Sequence, residues 1–169
     1  IYTDIYLPET PSYANIIVIW VLVTASTLLD FFEEFRSNKA AEKLKQMLEE
    51  KGAKKVVLTD LVREDMAEAV EDAFRYDKII LAASSYNAGV FVPMRQFLMK
   101  LKERNYQNRK IGVIENGSWA PSAAKTMKSI LQEMKDITII EPSVTIPSTM
   151  KQETIIQMEK LAESILGGE

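Results

Sequence analysis

What most constrains this chain is an alternation: short apolar runs rich in β-branched residues recur between stretches whose apolar residues fall at helical spacing. Ile16–Val23 is a continuous run of this kind, which predicts a strand covered on both faces in a parallel sheet. From Leu28 to Lys51 the pattern turns helical, ending in the Ala40, Leu44, Met47, Leu48 stripe, and Gly52 supplies the stop. Lys55–Thr59 predicts a second strand, and Arg63–Tyr76 a helix with Met66, Ala69, Val70, Ala73 and Phe74 on one face. Lys78–Ala83 predicts a third strand, followed by a polar loop, Ser84–Gly89. Pro93 then sits in the first turn of a helix running to about Arg104, whose buried side is Met94, Phe97, Leu98 and Leu101. Lys110–Ile114 and Ile137–Ile140 predict strands four and five. The loop Glu115–Pro121 and the helices Ser122–Met134 and Gln152–Leu166 complete the series.

Strands alternating with helices demand crossover connections and an α/β fold: a doubly wound five-stranded parallel sheet between two helical layers, with order 2-1-3-4-5. At 169 residues the chain is read as a single domain over 1–169, with residues 1–15 as an extension. In such sheets ligands bind outside the carboxyl ends of the strands, where the strand order reverses. The loops after strands one, three and four are therefore expected to converge on one site.

Composition narrows the chemistry of that site. The chain has no Cys, which excludes disulfides, thiolate metal sites and cysteine nucleophiles within it. It has no His, which removes the usual general base at neutral pH and the commonest transition-metal ligand. What survives is carboxylate or lysine chemistry, magnesium on oxygen ligands, or a borrowed organic cofactor. A formal net charge of −3, with Lys and Arg scattered, argues against nucleic acid or an anionic membrane as the partner. Pairs such as Glu33-Glu34 and Glu49-Glu50 are spaced as solvated helix faces and not as metal ligands. Ala14–Leu29 is the most apolar stretch, but it is shorter than the roughly 20 residues that span a bilayer. Asp4 and Glu9 precede it where a secretory leader would carry positive charge, so a cytoplasmic chain is expected. The chain begins at Ile1, as a processed or excised one would.

The three loops have distinct compositions. After strand one come Thr24, Ala25, Ser26 and Thr27, hydroxyls entering a helix, where backbone N–H groups favour a phosphate. No glycine-rich Lys-Ser/Thr loop of the nucleoside-triphosphate kind is present, and the same hydroxyls would equally serve as helix caps. After strand three, Ser84, Ser85, Tyr86, Asn87, Ala88 and Gly89 offer hydroxyls, an aromatic ring, an amide and a glycine, a set suited to a flat heteroaromatic ring with polar edges. After strand four, Asn116, Gly117, Ser118 and Trp119 place an indole beside small residues that let a ligand approach the backbone. A tryptophan there could equally cover the core.

The stretch from about Ala40 to Leu166 resembles the flavodoxin fold, and most closely the flavodoxin domain of the flavodiiron proteins. That family's third-strand loop reads Ser-Pro-Thr-Tyr-Asn-Asn-Gly and then Phe-Pro-Pro. Here it is Ala83-Ser84-Ser85-Tyr86-Asn87-Ala88-Gly89-Val90-Phe91-Val92-Pro93. The family's Gly-Trp-Ser-Gly resembles Ser118-Trp119-Ala120-Pro121. The resemblance implies noncovalent flavin mononucleotide (FMN), with Tyr86, Asn87 and Gly89 around the isoalloxazine edge and Trp119 against its face. At the phosphate loop the chain departs from the family's Ala-Ser-x-x-Gly-Asn-Thr. Ala25-Ser26-Thr27 runs into Leu28-Leu29-Asp30 without a glycine, and Ser37-Asn38-Lys39 precedes the family-like Ala40-Ala41-Glu42-Lys43-Leu44. Either hydroxyl group could serve the phosphate. The family's His and carboxylate ligands for two irons cannot come from a chain without His.

The function expected from this reading is FMN-dependent electron transfer between redox partner proteins, a reductase as donor and an unidentified acceptor, with self-association left open. It needs no side chain as acid or base. Two alternatives stand beside it: an NAD(P)H-dependent FMN reductase on the same fold, and a domain of this fold that binds no flavin. A receiver-type domain is disfavoured, because strand one ends in Thr24 and strand five in Ile140-Glu141 where receivers carry Asp and Lys.

Overall fold

The computed structural model describes residues 13–117, 120–147 and 150–167, with the backbone alone over 28–39. Its elements, in chain order, are α1 (Ala14–Glu50), α2 (Met66–Arg75), β1 (Lys78–Tyr86), β2 (Gly89–Val90), α3 (Val92–Glu103), β3 (Arg109–Asn116), α4 (Ala123–Gln132), β4 (Ile137–Ile146) and α5 (Gln152–Leu166). The chain divides into two compact units, Ile1–Lys39 and Ala40–Glu169.

The second unit is built on the last three strands that the apolar runs predict. β1 pairs with β3 in parallel from Lys78↔Lys110 to Ser84↔Asn116, and β3 pairs with β4 in parallel from Arg109↔Ile137 to Asn116↔Ile146. The β3–β4 register shifts between Gly112 and Ile114, opposite the β4 stretch that contains Pro142, a residue with no N–H to give to the ladder. β2 folds back antiparallel on β1, Ser85 facing Val90 and Tyr86 facing Gly89. The sheet order is β2-β1-β3-β4.

Alternation along the strands fills a core on each face. On one side Leu81, Ile111 and Val113 pack with Val70 and Ala73 of α2, Phe97, Leu98 and Leu101 of α3, and Met127 and Leu131 of α4. On the other, Ile114, Val144 and Ile146 pack with Leu44, Met47 and Leu48 at the end of α1 and with Met158, Leu161, Ala162 and Ile165 of α5. Leu98, Leu101, Ile111, Leu131 and Leu161 are wholly buried, each contributing on the order of 1.5–3 kcal/mol of transfer free energy. Gly112 makes this packing close, since a Cβ there would lie 3.2 Å from both Ile80 and Leu161 side-chain carbons. The expected α/β fold with helices on both faces of a sheet is present.

The sheet departs from the expected five parallel strands in two places. Ile16–Val23 is not a strand but part of α1. Between Ala14 and Glu50 there is neither glycine nor proline, so the helix carries through the β-branched run without a breaker. Ile17, Val18, Ile19, Trp20, Val21, Leu22 and Val23 are all exposed on it. Lys55–Thr59 forms no strand either. In the expected order its only neighbour is strand one, and with that run helical it has no ladder to join. Val57 and Leu58 are accordingly exposed. Among the described residues no helix is long and apolar enough to cross a membrane.

Candidate functional site

At the carboxyl end of β1 the chain reverses through Asn87 and Ala88, whose φ values of 48° and 56° are both left-handed. Two consecutive residues of this kind form the two-residue turn whose twist matches a β-hairpin. The hairpin holds Tyr86 at its tip, 58% exposed. Its base is closed by a hydrogen bond from Phe91 N to the Ser84 carbonyl at 3.0 Å. Proline in the first turn of α3 then starts the helix that carries Phe97, Leu98 and Leu101 into the core.

At the carboxyl end of β3, Asn116 lies in register with Ser84, and Gly117 N donates to the Ile146 carbonyl of β4 at 3.1 Å. A Cβ on Gly117 would approach Ser85 Oγ to 2.9 Å and Ser85 Cβ to 3.2 Å. Only glycine lets this loop lie against the hairpin.

Three side chains lock the two loops together. Ser85 Oγ accepts from Ser122 N at 2.9 Å and from Ala123 N at 3.2 Å. Ser122 Oγ donates to the Gly89 carbonyl at 2.9 Å, which makes the bracing reciprocal. Glu115, 7% exposed, accepts from Ala124 N at 2.8 Å through Oε2 and from Thr145 Oγ1 at 2.9 Å through Oε1. The first N–H groups of α4, which its own residues cannot satisfy, are therefore taken by a hydroxyl from β1 and a carboxylate from β3. The carboxylate also complements the positive end of the helix.

The sequence-derived site residues thus fall into three groups. Ser84, Ser85, Tyr86, Asn87 and Gly89 come together with Asn116 and Gly117 at one end of the sheet. Ser118 and Trp119 lie outside the described residues. Thr24, Ser26 and Thr27 do not form a loop after a strand: they sit inside α1, in the other unit, and are exposed. Thr24 Oγ1 and Thr27 Oγ1 each donate to the carbonyl four residues earlier, Trp20 and Val23, at 2.7 Å. Backbone N–H groups inside a helix are already spent on its ladder, so this stretch is no phosphate cradle. Ser37 and Asn38, the other candidate phosphate pair, also lie within α1.

Glu115, Ser122 and Thr145 were not singled out by the sequence. A visible signal was the carboxylate ending the buried Lys110–Ile114 run immediately before a glycine loop and a helix.

No protein-family model matches the chain. No curated protein matches it either. Solved structures do. The rubredoxin oxygen:oxidoreductase of Desulfovibrio gigas superposes with a TM-score of 0.71 at 17% identity over 77% of this chain. A flavodiiron core from Synechocystis gives 0.68 at 10% identity over 78%. Oxidised flavodoxin 1 of Bacillus cereus gives 0.67 at 15% identity over 79% of this chain and 91% of its own. The chain spans about a third, 32%, of the length of each of the first two. The fold is flavodoxin-like, and it resembles flavodiiron proteins as well as free-standing flavodoxins.

Proposed function

We propose that this chain binds a flavin at the carboxyl ends of β1 and β3 and acts as an electron-transfer module. The observation that carries the reading is the braced pair of loops. Ser85 and Ser122 hold the hairpin against the Gly117 loop, so that Tyr86, Asn87, Asn116 and a close-approaching glycine backbone occupy one end of the sheet. The flavodoxin-like fold supports the reading, since in open α/β sheets this end is where ligands bind.

The ring half of a flavin fits these residues. Tyr86 offers an exposed aromatic face, Asn87 and Asn116 offer amides to a polar ring edge, and the left-handed turn at Asn87 and Ala88 presents backbone groups there. FMN is the flavin that the sequence leads one to expect, and its phosphate half finds no cradle at Thr24, Ser26 and Thr27, whose hydroxyl run is helical. A bound isoalloxazine supplies reversible one- and two-electron chemistry. This chain's own task is then to hold the ring flat against Tyr86 and to keep the two loops from parting.

The test is retention of flavin. Purified chain incubated with riboflavin or FMN and desalted is expected to keep visible flavin absorbance, and Tyr86→Ala to lose most of it. Failure to retain either flavin overturns the proposal. Bleaching of the bound flavin by NADH or NADPH without any partner protein would favour the reductase reading instead.

A further inference from the structure

We infer that the amino end of α5 is a site for a phosphate group, a site that stands whether or not a flavin is bound. β4 runs parallel to β1 and β3, with Ile146 in register with Asn116, so α5 starts at the same end of the sheet as the braced loops. The helix begins after Lys151, whose backbone is extended and whose side chain makes no cap bond. Its first intrahelical bond runs from Ile155 N to the Lys151 carbonyl at 3.1 Å. The N–H groups of Gln152, Glu153 and Thr154 are therefore unspent among the described residues. In α4, by contrast, the leading N–H groups are spent on Ser85 and Glu115.

Thr154 is the second feature that points to a ligand. It stands in the first turn of α5 and is only 4% exposed, yet its hydroxyl has no hydrogen-bond partner among the described residues. Leaving such a group unpaired costs free energy. Threonines inside helices can return the hydroxyl to the carbonyl four residues back, as Thr24 and Thr27 do, and Thr154 does not. In a helix the Cα–Cβ bond tilts toward the amino end, which directs Thr154 toward the free N–H groups. Lys151, exposed beside them, supplies a cation. Three N–H groups, a hydroxyl and an ammonium are more donors than the two oxygens of a carboxylate need, and they suit a tetrahedral phosphate. Glu153, the acidic residue of this turn, is exposed and opposes the anion.

The experiment titrates the full chain with inorganic phosphate at low ionic strength and follows the backbone amide signals by NMR. Saturable shifts are expected at Gln152, Glu153 and Thr154 and not at Ala123 and Ala124. Thr154→Val, which keeps the shape and removes the hydroxyl, should weaken phosphate by about tenfold, and Thr154→Ser should retain it. Lys151→Met, at an exposed position that the fold does not need, should weaken it by about threefold, and Glu153→Gln should tighten it. Parallel titrations with FMN and riboflavin distinguish the sources of the phosphate. Shifts of the same amides by FMN but not by riboflavin assign the site to the phosphate of a bound nucleotide, and shifts by inorganic phosphate alone assign it to the free ion. No saturable shift with either phosphate or FMN would overturn the inference, as would shifts centred on α4, or native affinity in both Thr154→Val and Lys151→Met. A chain that binds phosphate here but retains no flavin would overturn the flavin reading and leave this site standing.

Discussion

Ser85 Oγ lies 2.9 Å from the backbone nitrogen of Ser122, and the Ser122 hydroxyl in turn donates to the carbonyl of Gly89. A residue on one strand thus caps a helix whose N-cap serine lies 37 positions later, and that serine fastens the hairpin next to the strand. Ser122 stands at the N-cap position of α4, yet its side chain makes no cap bond to its own helix. Ser85 takes that role from across the sheet.

Ser85→Ala should therefore cost about 1–2 kcal/mol, because it leaves two helix N–H groups without their acceptor. Urea denaturation of the two proteins measures it. A difference near zero would mean that water replaces the hydroxyl and that the brace carries no energy.

The turn at the hairpin tip stores strain that can be relieved. Ala88 is held at φ 56°, where a Cβ costs on the order of 1–2 kcal/mol. Glycine escapes that cost but loses part of the gain to its freer unfolded chain. Ala88→Gly is expected to stabilise the protein by about 0.5–1 kcal/mol, and Ala88→Val to destabilise it. Thermal midpoints that fall for both would contradict the left-handed assignment.

Arg109 ties the opposite end of the sheet. Its guanidinium donates to the carbonyls of Phe74 at 3.0 Å, Tyr76 at 2.9 Å, and Gln107 and Asn108 at 3.1 Å each, closing the C-terminal end of α2 and the loop before β3. A lysine has one nitrogen and cannot reproduce this fork. Both Arg109→Lys and Arg109→Met should lose about 2–3 kcal/mol by equilibrium unfolding. A lysine variant as stable as the parent would show that charge alone matters.

Tyr106 gives a pH signature. It is 1% exposed, its hydroxyl has no hydrogen-bond partner, and Arg109 sits over its ring at 5.5 Å. Burial pushes the phenol up to about 12, with the Arg109 charge opposing. Because the folded value lies above the ordinary one near 10, the unfolded chain ionises first. The stabilising contribution is then complete below about pH 10 and is lost as pH rises from there toward about 12. Stability measured across that range should fall less steeply in Tyr106→Phe than in the native chain. Parallel curves for the two would exclude the assignment.

Much of the second unit is legible in the sequence because its signals are local. The runs beginning at Lys78, Lys110 and Ile137 become β1, β3 and β4, and the stripes Met94, Phe97, Leu98, Leu101 and Leu44, Met47, Leu48 face the two cores. Proline at the start of α3 and polar residues in the hairpin carry their own backbone preferences, which do not depend on the rest of the chain.

Ile16–Val23 is different. A short, continuously apolar run satisfies a buried strand and a helix segment equally, since periodicity separates them only when one face is polar. A strand is completed by its neighbours, whereas a helix closes its hydrogen bonds within itself. With no breaker between Ala14 and Glu50, the helix prevailed, and Lys55–Thr59 lost its neighbour in the same event.

The sequence by itself determined the residue types gathered at the end of the sheet, the absence of imidazole and thiol, and the α/β alternation from Met66 onward. Only the tertiary structure decided that the hydroxyls at 24–27 belong to a helix, that Ser85 caps α4, and that the Glu115 carboxylate fills the place an anion could otherwise take. Those outcomes depend on which backbone groups remain free after distant segments meet, and no local pattern of residues records that.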